Sequence, residues 1–388
     1  MAAVTERSAR WASTMAGHDA DGPLDGGLLR RAHERPGPPF GPAAAPSRAA
    51  REDAEHVLMA EGATRAVGAG RRARPEEPDP WRTCFERDRD RILHATAFRR
   101  LSGKTQVFVF PDDHQRTRLT HALEVAQVAT AIARALRLNV ALTEAIALGH
   151  DCGHGPGGHA SEDALSPYVE GGFDHAPWGA DVVLAPLNLC AETLDGIRNH
   201  SWSLPTPATP EGAVVSWADR CAYSAHDLED AVSAGVVDPA ALPVEVTKVI
   251  GSTRRQQLAE LIAALIDGIE STGVVGMAAP YAEALAGLRS FNYAHIYNRP
   301  ASIEQGASVV AVLTALVERF AERPELLPAA AAGEPATDPL AAAVGYVAGM
   351  TDRFAFDAAV RLLDWPVERL PHSFDSPRRR DRVHHVTR

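Results

Sequence analysis

A helical repeat constrains this fold more than any other feature, because polar residues interrupt it at three places. Leu119, Leu123, Ala126, Ala129, Ile132 and Leu136 recur every three or four residues, the period of an amphipathic α-helix. Ala141–Gly149 is almost wholly apolar and is expected to be a short, central helix. Glu211–Ala234 repeats the pattern, with Val214, Val215, Ala218, Ala222, Ala225 and Leu228 on its inner side. Gln256–Ile269 and Ala307–Phe320 read as further helices. Alternation with a period of two is scarce, and Thr105–Phe110 is the best strand candidate. The expected fold class is all-α, a helical bundle with accessory helices and long loops broken by Gly and Pro.

Such a bundle needs apolar mass, and 45% of the 388 residues supply it. The order is expected to be uneven. Residues 1–74 read as a largely disordered arm, because Arg35–Pro46 is rich in Pro, Gly and Ala and Gly68–Pro75 in Gly and Arg. A short helix around Ser47–Glu61 is compatible with that reading. Residues 75–376 form the folded domain, with Pro324–Ala343 as an internal loop, and 377–388 form a basic, flexible tail.

The net charge of −11 argues against a dedicated nucleic-acid partner, since phosphate contacts need a basic surface. It leaves a small anionic substrate open, because local charge overrides the net sign. Cys84, Cys152, Cys190 and Cys221 form no CxxC pair and read as buried, reduced thiols. Met1–Leu24 lacks the apolar core of a signal peptide, and no apolar run reaches the roughly 18 residues of a membrane span. The expectation is a soluble, cytoplasmic protein without a membrane partner.

The three interruptions carry the chemistry. His121 lies in the first long helix, His150-Asp151 ends the apolar helix, and Asp219 lies within Glu211–Ala234. An ionised Asp at the end of a buried helix is costly, and the negative end of the helix dipole makes it worse. A bound cation removes both penalties; an arginine partner is the plainer alternative. Two His and two Asp suit a divalent ion such as Mn²⁺, Fe²⁺, Mg²⁺ or Zn²⁺, and facing helices can bring such residues together.

His121…His150-Asp151…Asp219 resembles the H…HD…D signature of the HD phosphohydrolases. Around it, DRDRILHATAFRRL (88–101), KTQVF (104–108), RTRLTHALEVAQ (116–127), EAIALGHDCGHGPGGH (144–159), ADRCAYSAHDLEDA (218–231) and YVAGMTDRFA (346–355) resemble the deoxyguanosine triphosphate triphosphohydrolase family. The resemblance implies one divalent ion held by His121, His150, Asp151 and Asp219. It also implies attack of water on the α-phosphorus, giving deoxynucleoside and tripolyphosphate, and assembly as a homo-oligomer.

Further roles follow from the same resemblance. His159 and Glu162 take the catalytic places of the loop pattern, with His154 near the phosphates. Glu162 stands three residues after His159 and would orient it if a helix begins there. His175 resembles a phosphate-facing histidine, although Ala176-Pro177-Trp178 follows where relatives carry polar residues. Tyr223 and Asp227, four and eight residues after Asp219, share its helix face and imply contacts to the ring and 3′-hydroxyl of a deoxy sugar. Arg118, three residues before His121, is expected to reach a phosphate oxygen. Arg220, Arg99 and Arg100 are weaker candidates, and Tyr346 and Asp352 are further pocket candidates. Gly157 stands where relatives carry Phe and would widen the cavity, which Trp178 could refill. These departures open the base and the substrate's modification state to question. Alternatives are a nucleotidase acting on a nucleoside monophosphate, a phosphodiesterase for a cyclic or alarmone nucleotide, and a nucleotide sensor without turnover.

Overall fold

In the computed structural model, residues 5–15, 17–24, 27–35, 37–38, 41, 44–111, 114–328 and 338–372 are described. The basic tail and residues 329–337 of the Pro324–Ala343 stretch fall outside them. The chain divides into two units, Met1–Pro46 and Ser47–Arg388. In the first, α1 (Glu6–Ser13) precedes an antiparallel hairpin of β1 (His18–Leu24) and β2 (Gly27–Arg31), with His18 opposite Arg31 and Leu24 opposite Gly27.

The second unit is helical, and helix makes up 64% of the structure. It holds α2 (Arg48–Leu58), α3 (Cys84–His94), α4 (Thr96–Arg100), α5 (Arg118–Ala135), α6 (Val140–Gly149) and α7 (Ala160–Leu165). Next come α8 (His175–Trp178), α9 (Ala191–Arg198), α10 (Pro210–Ser233), α11 (Val244–Ile250) and α12 (Arg254–Thr272). The last four are α13 (Ala279–Asn292), α14 (Pro300–Glu322), α15 (Pro339–Ala348) and α16 (Asp352–Leu363). The all-α class holds.

Local chemistry starts these helices where the site needs them. The Thr209 side chain caps α10 by accepting from Gly212 N, and Pro210 presets its first turn. The Asn139 side chain caps α6 by accepting from Leu142 N at 3.1 Å. α6 is apolar apart from Thr143 and Glu144 and packs against α3, α5, α9 and α10. Its Leu142, Ile146 and Leu148 are each at most 2% exposed, a contribution of about 1.5–3 kcal/mol per side chain. One buried cluster gathers around α3, α5, α6 and α10, and a second around α7, α14, α15 and α16. All four cysteines are free and buried.

Three expectations need correction. Residues 47–74 are not a disordered arm. Thr64 donates through its N–H (3.0 Å) and its hydroxyl (2.7 Å) to the buried Glu211 carboxylate, which also accepts from Asn139 N at 2.9 Å. Arg72 forms a buried ion pair with Asp88 at 2.6 Å. These partners lie too far along the chain for composition to reveal them. Thr105–Phe110 is not a strand, because Thr105 N donates to the Asp352 carboxylate at 3.0 Å and only one isolated bridge, Thr105 to Thr117, forms. The expected loop Pro324–Ala343 ends early, since α15 begins at Pro339, capped by the Asp338 side chain. In addition, α14 is long and apolar enough to cross a membrane by length and composition. Its Val309, Val312, Leu313, Leu316, Val317 and Phe320 are spent on the second cluster.

Candidate active site

Three helices bring four donor residues to one point. His121 lies in the first turn of α5, His150-Asp151 directly follow α6, and Asp219 lies midway along α10. The end of α6 comes close to α9 because Gly149 has no side chain; a Cβ there would sit 2.5 Å from Ile197 Cδ1. His121 Nε2 is 3.0 Å from Asp219 Oδ1 and 3.8 Å from Asp151 Oδ2. His150 Nε2 is 3.6 Å from both Asp219 Oδ1 and Asp151 Oδ1.

His150 Nδ1 donates to the Ala147 carbonyl at 2.7 Å, which fixes the tautomer and leaves the Nε2 lone pair facing the cluster. That Nε2 is buried and has no hydrogen-bond partner among the described residues. Burial opposes a positive charge on His150, yet Asp151 and Asp219 push its imidazole up to about 9. Burial likewise favours neutral acids, but His121 and His150 hold the Asp219 carboxyl well below the usual range. Arg118, with help from the neighbouring imidazoles, does the same for Asp151. The centre is thus a negative point with an orphaned nitrogen aimed at it, and a divalent cation fits its donor set.

Arg118 is 2% exposed, and its Nη1 donates to Asp151 Oδ2 at 2.8 Å. Among the described residues, its Nε and Nη2 have no partner. The plainer reading of Asp151 is realised, since the carboxylate has an arginine partner, and its other oxygen faces His150 and His154.

A glycine-bent loop carries the remaining histidines. Gly157 and Gly158 have φ of +72° and +67°, a region that disfavours other residues. His154 Nε2 lies 3.1 Å from Asp151 Oδ1, and its ring stacks on His175 at 3.7 Å. Desolvation and the Arg118 charge push His154 well below its ordinary value. His159 stands 5.0 Å from the His154 ring; the cavity walls and Arg118 hold its imidazole down to about 4. Glu162 does not orient His159 by a hydrogen bond. It accepts from His175 Nδ1 at 2.5 Å instead.

These groups open into a cavity of about 820 Å³. Its far wall carries Tyr223 and Asp227 from α10, joined by Arg289, Tyr293 and Tyr297. Tyr297 OH donates to Asp227 Oδ2 at 2.5 Å, Asp227 Oδ1 is left without a partner among the described residues, and Arg289 Nε donates to Tyr223 OH at 2.7 Å. Arg220 lines the cavity as well, with its guanidinium 3.4 Å from the centre of a Trp202 ring.

Several candidates lie elsewhere. Tyr346 packs edge-on against Phe320 and Phe354, outside the cavity. Asp352 is buried and structural: it accepts from Thr105 N, from Thr105 Oγ1 at 2.5 Å and from Gly157 N at 2.8 Å. Trp178 packs on Phe173 at 5.0 Å. Arg99 caps the His94 carbonyl and Arg100 the Gly349 carbonyl. Gly157 does not widen the cavity, because a Cβ there would strike Val309 Cγ1 at 2.5 Å, and Val309 fills that wall. The sequence reading missed His200, Arg289 and Tyr297. His200 follows α9, whose Glu192, Asp195 and Arg198 give the helix a charged face, and no sequence pattern marked it out.

A cation point beside a half-paired guanidinium is the working arrangement of a metal-dependent phosphohydrolase. Residues 118–224 match the HD domain and residues 275–361 match a phosphohydrolase-associated domain. The deoxyguanosinetriphosphate triphosphohydrolase-like protein of Caldanaerobacter subterraneus subsp. tengcongensis is 40% identical over 317 residues, covering 78% of this chain and 92% of that one. Its counterpart in Desulfatibacillum aliphaticivorans is 39% identical over 313 residues, covering 73% and 88%. A third, from Clostridium perfringens, is 38% identical over 299 residues, covering 73% and 87%. The chain belongs to the deoxyguanosinetriphosphate triphosphohydrolase-like family of HD-domain phosphohydrolases.

Proposed function

We propose that the chain hydrolyses a deoxynucleoside triphosphate at the α-phosphorus, releasing deoxynucleoside and tripolyphosphate. The observation that carries this reading is the continuity of one cavity. It runs from the His/Asp centre past the two unpaired nitrogens of Arg118 to the Tyr223, Asp227 and Tyr297 wall. A nucleotide needs both ends: cationic donors for phosphate, and a flat, hydroxyl-reading surface for sugar and base.

His121, His150, Asp151 and Asp219 would hold the divalent ion. Bound there, such an ion polarises a phosphoryl oxygen and acidifies water. The protein's own groups do the rest. Arg118 grips a phosphate oxygen through Nε and Nη2 while Asp151 fixes the guanidinium plane. His154 and His175, stacked and tied to Asp151 and Glu162, form the phosphate-facing wall. His159 stands free of a carboxylate hydrogen bond and is assigned as proton donor to the departing 5′-oxygen, its proton affinity rising when polyphosphate enters. Asp227 Oδ1 accepts from the sugar hydroxyl, and Tyr223 packs beneath the ring, so a 2′-hydroxyl is excluded by sterics. Arg220 is assigned to the same nucleotide surface. Homo-oligomeric assembly and a cytoplasmic location complete this reading.

The test is incubation with Mn²⁺ and each of the four dNTPs, the NTPs and the dNMPs, with products resolved by ion exchange. The expected result is deoxynucleoside with intact tripolyphosphate, absent in His121→Ala and Asp219→Ala. Orthophosphate released from dNMPs alone would replace this reading with that of a nucleotidase.

A further inference from the structure

Arg118, Arg220 and Arg289 all line the cavity, and two of them are engaged by hydrogen bonds. Arg118 Nη1 donates to Asp151, and Arg289 donates to the hydroxyls of Tyr223 and Tyr293. Arg220 differs. Among the described residues it has neither an ion pair nor a hydrogen bond, and burial works against its charge. Its guanidinium instead lies 3.4 Å from the centre of a Trp202 ring. At that separation the group fits only with its plane along the ring. Stacking of this kind leaves the N–H donors in the plane and free.

The indole itself is fixed. Its Nε1 donates to the Ser216 carbonyl at 3.2 Å, and Trp217 meets it edge-on with ring centres 4.5 Å apart. Yet Trp202 is 42% exposed and lines the cavity, so packing in the core does not account for it. The helix α10 gives the stack its place. Ser216 precedes Asp219 by three residues, whereas Tyr223 and Asp227 follow it. At a rise of about 1.5 Å per residue, the Trp202 anchor stands about 4.5 Å to one side of Asp219, and Asp227 about 12 Å to the other. Arg220 leans back to the Trp202 side, as helical side chains lean toward the N-terminus. With the sugar at Tyr223 and Asp227 and the α-phosphate at the His/Asp centre, the phosphates beyond α run toward the stack.

Resting on the nucleotide reading given above, we infer that Trp202 is a positioning residue: its indole face aims the free N–H edge of Arg220 at the outer phosphates and so selects a triphosphate over a monophosphate. Without the ring, a long side chain in an open cavity samples many rotamers, and binding must order it. With the ring in place that ordering precedes the ligand. A monophosphate ends at the His/Asp centre and gains nothing from the stack. Trp202 acts wholly through Arg220, because the ring has no charge or free donor to offer a phosphate; its one N–H is held by Ser216.

The experiment measures binding without turnover. Full-length protein, with no metal added, is titrated by calorimetry with inorganic tripolyphosphate and, separately, with the four dNMPs. Trp202→Ala is expected to weaken tripolyphosphate about tenfold, the loss of one cation–π contact, and to leave the dNMPs unchanged. Trp202→Phe, which keeps a ring face, is expected to recover part of the loss, and circular dichroism spectra check that both variants fold. Arg220→Ala should also weaken tripolyphosphate, and removing Trp202 from that variant should change nothing further, as full coupling in a double-mutant cycle requires. Unchanged tripolyphosphate affinity in Trp202→Ala would overturn the positioning role. So would an equal loss for tripolyphosphate and dNMPs, or additive losses in the double variant. Wild type that binds neither ligand would instead defeat the nucleotide reading itself, and the role of Trp202 would fall with it.

Discussion

Asp88→Ala tests whether the architecture around α9 depends on one buried carboxylate. Asp88 is fully buried and accepts from Arg72 Nη1 at 2.6 Å, Cys190 N at 2.8 Å and Thr193 Oγ1 at 2.7 Å. Breaking a buried ion pair costs about 3–5 kcal/mol, and an orphaned buried N–H adds about 1–3 kcal/mol. Arg72 keeps Glu76 at 2.8 Å and the carbonyls of Ala69, Asn188 and Cys84, so the pair loss sits at the low end. The sum is about 4–6 kcal/mol, a fall in Tm of roughly 8–12 °C at about 2 °C per kcal/mol for a chain of this size. Circular dichroism melts of Asp88→Ala and of Arg71→Ala, whose Glu192 pair has an exposed arginine, supply the comparison. Arg71→Ala is expected to melt like wild type. If both variants shift alike and by less than about 2 °C, Asp88 is no keystone and the reasoning fails.

Arg118→Ala should lower kcat/KM by about 10²–10³, with Arg118→Lys recovering only part, because a lone ammonium cannot span two oxygens; full rescue by lysine would contradict the grip assigned to Nε and Nη2. Chelation should lower Tm, and Mn²⁺ should restore it by about 2.7 kcal/mol at a hundredfold excess over Kd; calorimetry with and without EDTA decides, and an unchanged Tm would argue against a cation at the centre. Burial pushes Asp227 up to about 7. Its folded value exceeds its unfolded one, so this group's contribution is complete below about pH 4 and declines as pH rises to about 7. Asp227→Asn should therefore gain stability relative to wild type across that window and no further above it; a constant difference in urea titrations from pH 4.5 to 8 would refute the shift.

The meeting of His121, His150, Asp151 and Asp219 was legible because each interrupts an apolar helix that the sequence announces by period. The three helices of the centre could be read from Leu119, Ala145 and Val214 and their repeats. Other features are set by partners far along the chain and leave no local pattern. Residues 47–74 are ordered by Glu211 and Asp88, which no compositional rule connects to them. Thr105 looks like a strand residue until Asp352 takes its N–H. His200 carries no motif, and only the fold sets it against His175. Gly157 was read as an emptied pocket, whereas its positive φ and the Val309 contact give it a backbone reason. Glu162 was assigned to the nearer histidine in sequence, and the fold gives it to the farther one.

The Asp352 carboxylate also sets a timetable. It is 195 residues from Gly157 and 247 from Thr105, yet it holds both. Closing loops of that length is slow, and contacts so remote in sequence form late. Synthesis runs from the N-terminus, at about 5–20 residues per second. All four side chains of the His/Asp centre have thus been made about 7–27 s before the residue that shapes the histidine loop emerges. On the proposed reading, a nascent chain assembles its His/Asp centre while the histidine loop is still unshaped, and competence for hydrolysis arrives only when α16 docks.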